Sequence, residues 1–242
     1  MGPLKNAHAH NDYHHDRPLM DALDHGFTSV EADIFLVDGK LLVAHSRLEL
    51  KPASTLASLY LNPLQERIRA QGGRVYRDGP LFTLLVDIKS EGESTYRALH
   101  EVLRQYPDML TAVHNGQVRD GPVQIIISGN RPHEFIAQQS ERFAAVDGRI
   151  SDLDSTAPAH LLPLISDNWR NHFRWSGTGP MPSEELAKLQ DIITRAHQAG
   201  RRVRFWATPE NAAVWDVLYQ QKVDLVNTDK LAELEAFLRS KE

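Results

Sequence analysis

Ser29-Val30-Glu31-Ala32-Asp33-Ile34-Phe35 sets two carboxylates into a run of strand-forming residues. Residues i and i+2 of a strand share a face, so Glu31 and Asp33 point to the same side, as ligands presented by a barrel interior do. Working outward, three more segments put ionisable groups at the ends of strand-like runs: His8-Ala9-His10-Asn11, His45, and Asp87-Ile88-Lys89, in which Asp87 and Lys89 again share a side. If one sheet brings these ends together, three carboxylates, two or three imidazoles and an ammonium meet in one place. Carboxylates at that density raise one another's pKa unless a cation sits between them. Glu31, Asp33 and Asp87 are hard oxygen donors, which suits Mg²⁺ or Ca²⁺ as the cofactor.

Eight strand candidates recur along the chain: Lys5–His10, Ser29–Phe35, Phe82–Ile88, Val123–Ser128, Ala144–Ile150, Leu162–Ile165, Arg202–Trp206 and Leu225–Thr228. Helical spacing fills the intervals, with Leu19 and Leu23 ahead of Gly26, Tyr96 to Leu103 ahead of Pro107, and Leu186 to Ala199 ahead of Gly200. Gly26 and Gly200 stand where C-terminal helix caps belong. Alternating strands and helices call for a parallel sheet, and eight strands in 242 residues favour an α/β fold closed as a single TIM-type (β/α)8 barrel. No composition break or repeat divides the chain, so residues 1–242 are expected to form one domain. Asp38-Gly39 is a tight-turn signal that makes Phe35 to Val43 a hairpin beside the second strand.

Lys+Arg of 27 against Asp+Glu of 32 gives a net charge of −5, which speaks against a nucleic-acid partner. No run of about 18 apolar residues is present, so no transmembrane segment is expected. Met1-Gly2-Pro3-Leu4-Lys5 leads into the first motif with no signal peptide, and a cytoplasmic protein and a trimmed periplasmic or secreted form both stay open. The absence of cysteine removes disulfides, thiolate zinc sites and cysteine nucleophiles. Nothing points to an obligate protein partner.

The active face of such a barrel lies at the C-terminal strand ends. Those ends carry His8/His10/Asn11, Glu31/Asp33, Asp87/Lys89, Asn130/Arg131, Asp147/Arg149, Asp167/Trp169, Trp206/Thr208 and Asn227/Asp229. His10 and His45 fit an acid/base pair because an imidazole exchanges protons near neutral pH. Lys89 supplies a point charge for a phosphate, or pairs with a neighbouring carboxylate. His14, His15, His25, His100, His114 and His133 read as solvated. Trp169 and Trp175, in a long loop from Asp167 to Pro182, read as walls of a substrate pocket, while Trp215 reads as core. Gly177-Thr178-Gly179 lacks the features of a nucleotide fingerprint and reads as a turn.

At these residues the sequence resembles the superfamily of glycerophosphodiester phosphodiesterases, phosphatidylinositol-specific phospholipases C and sphingomyelinase D-like enzymes. The likeness runs from His8-Ala9-His10-Asn11-Asp12-Tyr13 through Arg17-Pro18-Leu19, Gly26, Ser29 to Asp33, His45 and Asp87 to Lys89. It continues to Val203-Arg204-Phe205-Trp206 and Val223 to Asp229. The opening is most similar to a branch that includes fungal proteins named for altered inheritance of mitochondria. The resemblance implies Glu31, Asp33 and Asp87 as metal ligands, His10 and His45 as the catalytic pair, and Lys89, Trp206 and Asn130 as substrate contacts. The glycerophosphodiester enzymes open with His-Arg-Gly, whereas here Asn11 follows His10. Arg17, Arg131 and Arg149 are the candidate replacements for that arginine, and both His8 and His10 stand as candidate catalytic imidazoles.

The expected activity is metal-dependent hydrolysis of a phosphodiester, with a small-molecule or lipid substrate of the glycerophosphodiester or phospholipid type. Two alternatives accompany it: an amidohydrolase-like zinc hydrolase using His8-x-His10, and a catalytically weak barrel that binds a phosphate ligand. A lipid substrate predicts apolar residues exposed on the rim, with Phe173, Trp175 and Met181 as candidates.

Overall fold

Along Phe82–Ile88 the side chains divide between two apolar clusters. Phe82, Leu84, Val86 and Ile88 join the large core, while Leu85 joins a small separate cluster with Ile126, Leu164 and Leu225. That division is what a closed barrel requires: one face of each strand packs under helices and the other looks inward. The computed structural model describes residues 2–242.

Among these residues the strands are β1 (Leu4–Ala9), β2 (Phe27–Val37), β3 (Lys40–Val43), β4 (Phe82–Ile88), β5 (Ala112–His114) and β6 (Gln117–Arg119). They are followed by β7 (Val123–Gly129), β8 (Glu141–Arg142), β9 (Ala144–Gly148), β10 (Leu164–Asn168), β11 (Arg202–Trp206) and β12 (Leu225–Thr228). The main sheet runs β1-β12-β11-β10-β9-β7-β4-β2, and pairing of β1 with β2 closes it into eight parallel strands. This is the expected barrel, and every strand expected from the sequence is present, three with the expected bounds and five with an end shifted by up to three residues. β3 pairs antiparallel with β2, and the turn between them places Asp38 and Gly39 at φ 47° and 76°, as a tight hairpin turn requires.

Helices at Met20–Asp24, Gly92–Leu103 and Ser183–Gln198 occupy the expected intervals. Gly200, at φ 70°, ends the last of these, and the next amide, Arg201 N–H, reaches back to the Ala196 carbonyl at 2.9 Å. A small antiparallel sheet, ordered β6-β5-β8, lies outside the barrel and was not anticipated. Its strands span two or three residues each, too few to show a period, although the Asn115-Gly116 turn that joins two of them is a hairpin signal.

The barrel interior is apolar and polar in layers. At its lower end Arg202 reaches across to Thr83 Oγ1 and Gln124 Oε1, both at 3.0 Å. The Leu85 cluster lies next along the strands, and beyond it, toward the C-terminal ends, nearly every inward side chain is polar.

The expected loop from Asp167 to Pro182 begins with the end of β10 and a helical turn at Trp169–His172. Its aromatic residues turn inward. Trp169 is buried, stacks on Phe173 with ring centres 4.2 Å apart, and donates its indole N–H to the Trp175 carbonyl at 3.1 Å. Trp175 is buried as well and donates to the carbonyls of Thr178 and Gly179. Neither tryptophan lines the cavity at the barrel mouth, and Phe173, Trp175 and Met181 do not form an exposed apolar rim. Phe173 and Trp175 belong to the main core, and Met181 packs partly buried against it. Joining the core removes large apolar faces from water, which a solvated loop would leave exposed.

Candidate active site

The register of β2 and β4 assembles the acidic cluster. Asp33 and Asp87 are direct partners in the ladder, and Glu31 lies two residues back on the same face as Asp33. One oxygen of each of the three carboxylates falls within 4.8 Å of the others, and no histidine belongs to this group. Lys89 bridges the cluster, its Nζ 3.1 Å from both Asp33 Oδ2 and Asp87 Oδ1. Arg204, inward-facing on β11, donates to Glu31 Oε2 at 2.5 Å and to Asn227 Oδ1 at 2.9 Å. Gly129, at φ 67°, closes the floor, where a Cβ would collide with the Asp87 carboxylate and the Ile88 carbonyl.

Three carboxylates against two fixed cations leave one negative charge uncompensated, and the titration of the cluster reflects it. Burial, reinforced by the charge of Glu31, pushes Asp33 up to about 6. Burial raises Asp87 too, with Lys89 opposing. At Glu31 burial also disfavours the charge, but Arg204, His8 and His10 outweigh it and hold the carboxyl well below its usual range. Asp33 Oδ1 is buried without a hydrogen-bond partner. A buried carboxylate oxygen left open, among hard donors that converge, fits a divalent cation.

The two candidate imidazoles of β1 separate by depth. His8 is fully buried, with Nδ1 2.7 Å from Ser29 Oγ and Nε2 3.5 Å from Glu31 Oε2, and burial drives its pKa down to about 3. His10 lies one step further along the strand and lines the cavity at the barrel mouth. Its Nδ1 is 2.8 Å from Asp229 Oδ1, and Nε2 is 3.8 Å from Glu31 Oε1. Burial disfavours the imidazolium at His10, but the bond to Asp229 and the charge of Glu31 outweigh it and raise the pKa.

The His10-Asn11-Asp12-Tyr13 segment physically links the two imidazoles. Asn11, at φ 47°, turns the chain, its amide nitrogen lies 3.0 Å from His10 Nδ1, and its carbonyl oxygen is 2.8 Å from the Tyr13 hydroxyl. Tyr13 Oη is 2.6 Å from Asp33 Oδ2 and 3.1 Å from His45 Nδ1. Asp12 is buried behind them and accepts from the Leu19 amide and the Tyr60 hydroxyl, which anchors the turn.

His10, Glu31, His45, Asp87, Lys89, Asn130 and Trp206 all line one cavity of about 390 Å³, with Asp33 buried at its edge beneath Lys89. Asn130 donates its amide to the Ser90 carbonyl at 2.9 Å, so its own carbonyl oxygen is what it can offer a ligand. Of the three arginines weighed as replacements, Arg17 is on the surface, paired with Asp21 and Asp24, and Arg131 does not line the cavity. Arg149 does. Asp229 is among the polar strand ends expected from the sequence, while Arg204 and Tyr13 lie within the quoted segments without a role assigned to them. For Arg204 a signal existed, since it stands two residues before Trp206 and so shares its face.

The closed eight-stranded parallel barrel is the fold of glycerophosphodiester phosphodiesterases of known structure. One from Parabacteroides distasonis aligns with a TM-score of 0.57 at 14% identity, covering 100% of this chain and 99% of that one. Another, from Agrobacterium tumefaciens, gives 0.56 at 16% identity, covering 98% and 99%. The chain itself belongs to the AIM6-like phosphodiesterase domain family, whose model matches residues 3–147. Altered inheritance of mitochondria protein 6 homolog of Arthroderma benhamiae is 27% identical, over 92% of this chain and 80% of that protein. Altered inheritance of mitochondria protein 6 of Saccharomyces cerevisiae is 28% identical, over 93% and 68%. No helix among the described residues is long and apolar enough to cross a membrane.

Proposed function

We propose that the protein is a phosphodiester hydrolase that requires a divalent cation and acts on glycerophosphodiester or phospholipid-type substrates. The observation that carries this reading is the buried, partnerless oxygen of Asp33 within the Glu31, Asp33 and Asp87 cluster, at the edge of a cavity walled by two imidazoles. Mg²⁺ or Ca²⁺ held by these three carboxylates would supply charge neutralisation at a non-bridging phosphoryl oxygen. Lys89, already oriented by Asp33 and Asp87, adds positive charge from the protein side.

His10 serves as the base. Asp229 accepts the Nδ1 proton, which fixes the tautomer whose Nε2 lone pair can take a proton from the attacking hydroxyl. That hydroxyl belongs to water or to the substrate's own neighbouring alcohol. His45, as the imidazolium, serves as the acid that protonates the leaving oxygen. Its Nδ1–H donates to Tyr13 Oη while Tyr13 donates to Asp33, and the Nε2–H is the proton it delivers. The geometry favours this reading over the zinc alternative, because His8 Nδ1 bonds Ser29 below the cavity and the group of converging ligand atoms is Glu31, Asp33 and Asp87 without His8 or His10.

A panel of phosphodiesters assayed before and after EDTA tests the reading, with Mg²⁺ or Ca²⁺ then restored. We expect turnover that the chelator abolishes and the cation recovers, and loss of about a hundredfold or more in H45A. Turnover indifferent to chelation, or an H45A variant as active as the wild type, contradicts it.

A further inference from the structure

Opposite the acidic cluster, across the barrel mouth, β9 and β11 build a second wall that the hydrolysis chemistry does not use. Arg149, immediately after β9, places its guanidinium 4.9 Å from the centre of the Trp206 ring. Its Nη1 donates to Asp147 Oδ2 at 2.8 Å and to the Gly148 carbonyl at 2.9 Å, and its Nη2 donates to Ser128 Oγ at 3.3 Å. Asp147 is fully buried, and its oxygens also accept from Ser128 and Ser166. The guanidinium is therefore held in place before any ligand arrives. Three of its five N–H donors are engaged, which leaves two for a ligand.

We propose that Arg149 and Trp206 form the subsite for the substrate's second ester group, and that this subsite selects hydroxyl-bearing or anionic groups over quaternary ammonium groups. The inference rests on the hydrolase reading and adds a substrate class to it. An exposed indole is the usual receptor for a trimethylammonium group. Here that ring already stacks on Arg149, and a second guanidinium, that of Arg204, lies 6.0 Å from its centre. Charge at the opening points the same way. The Arg149 and Lys89 side chains are 22% and 30% exposed, while their carboxylate partners Asp147, Asp33 and Asp87 are at 0%, 1% and 18%. The exposed carboxylate at the mouth, Asp229, is turned onto His10. A hydroxyl or anionic oxygen resting on this wall accepts from the free donors, whereas a fixed positive charge meets like charge.

The test compares glycerophosphoinositol and glycerophosphoglycerol with glycerophosphocholine, assayed as kcat/KM with Mg²⁺ or Ca²⁺ present. We expect the wild type to prefer the polyol esters by about tenfold or more, the scale set by one like-charge contact. R149M is expected to bring that ratio to within about threefold. Because R149M uncovers the buried Asp147 carboxylate, the double variant D147N/R149M, which removes both charges, is measured beside it and checked by thermal melting. A wild type that turns over the choline ester as well as the polyols, or a folded R149M or D147N/R149M that keeps the full preference, overturns the subsite. Absence of turnover with every ester overturns the hydrolase reading itself, and the selectivity with it.

Discussion

The two arcs of the barrel mouth treat buried carboxylates in opposite ways. On the arc of β1, β2 and β4, Glu31, Asp33 and Asp87 share Lys89 and Arg204, and Asp33 Oδ1 has no partner. On the arc of β7, β9 and β10, Asp147 is more deeply buried than Asp87, yet both its oxygens are satisfied by Arg149, Ser128 and Ser166. Burial alone therefore does not mark a cation site. A buried carboxylate whose bonds are complete acts as an anchor, and one left incomplete among others of like charge is poised for a ligand. The family match covers the first arc and ends at Asp147, so Arg149, Arg204 and Trp206 lie beyond it.

Neutralising the two carboxylates should have opposite consequences, and this is the largest effect expected. D147N leaves Arg149 without its buried partner and should destabilise the fold by about 3 kcal/mol. D33N, in protein stripped of divalent cations at pH 7, removes a charge that burial and Glu31 both disfavour, and should raise stability by about 1 kcal/mol. Denaturant melts of both variants check the contrast. Equal losses in the two would erase the distinction between the arcs.

A smaller effect is expected behind the first arc, at Asp12. Burial pushes this carboxyl up to about 6, against an unfolded value near 4, and Oδ1 lacks a partner. Between those values the folded state holds the proton that the unfolded state releases, so stability falls as pH rises from about 4 to 6 and then levels off. The contribution is on the order of 2 kcal/mol. Asp33 adds to the same slope, so D12N should lessen it by the Asp12 share in melts recorded across the range, and an unchanged slope would assign it wholly to the cluster. The smallest effect belongs to Arg17, which lies outside both arcs with its ion pairs in solvent. R17A should leave activity and melting temperature unchanged.

How much of this could be read from the chain follows from what alternation can and cannot encode. The period of two sorted Glu31 and Asp33 onto one face, and the turn at Asp38-Gly39 announced the hairpin, so the barrel and its acidic cluster were legible. Depth within the barrel was not. His8 and His10 share a face, and only the register of β1 against β2 and β12 puts one below the cavity and the other at its wall. Arg149 could not be separated from Arg17 and Arg131 because its place depends on Asp147, whose serine partners come from two neighbouring strands. Trp169 and Trp175 misled for a related reason. A loop's composition does not say whether its aromatics face the pocket or fold back onto the core, and here Phe205 and Phe173 receive Trp169 while Trp175 joins the same core.

The central claim is that the incomplete arc holds a divalent cation through Glu31, Asp33 and Asp87. Calorimetric titration of Mg²⁺ and Ca²⁺ into the stripped protein, alongside D33N and D147N, tests it most directly. We predict one site in the wild type, affinity reduced about tenfold or more in D33N, and binding retained in folded D147N. Binding unaltered by D33N, or no binding to the wild type, would contradict it.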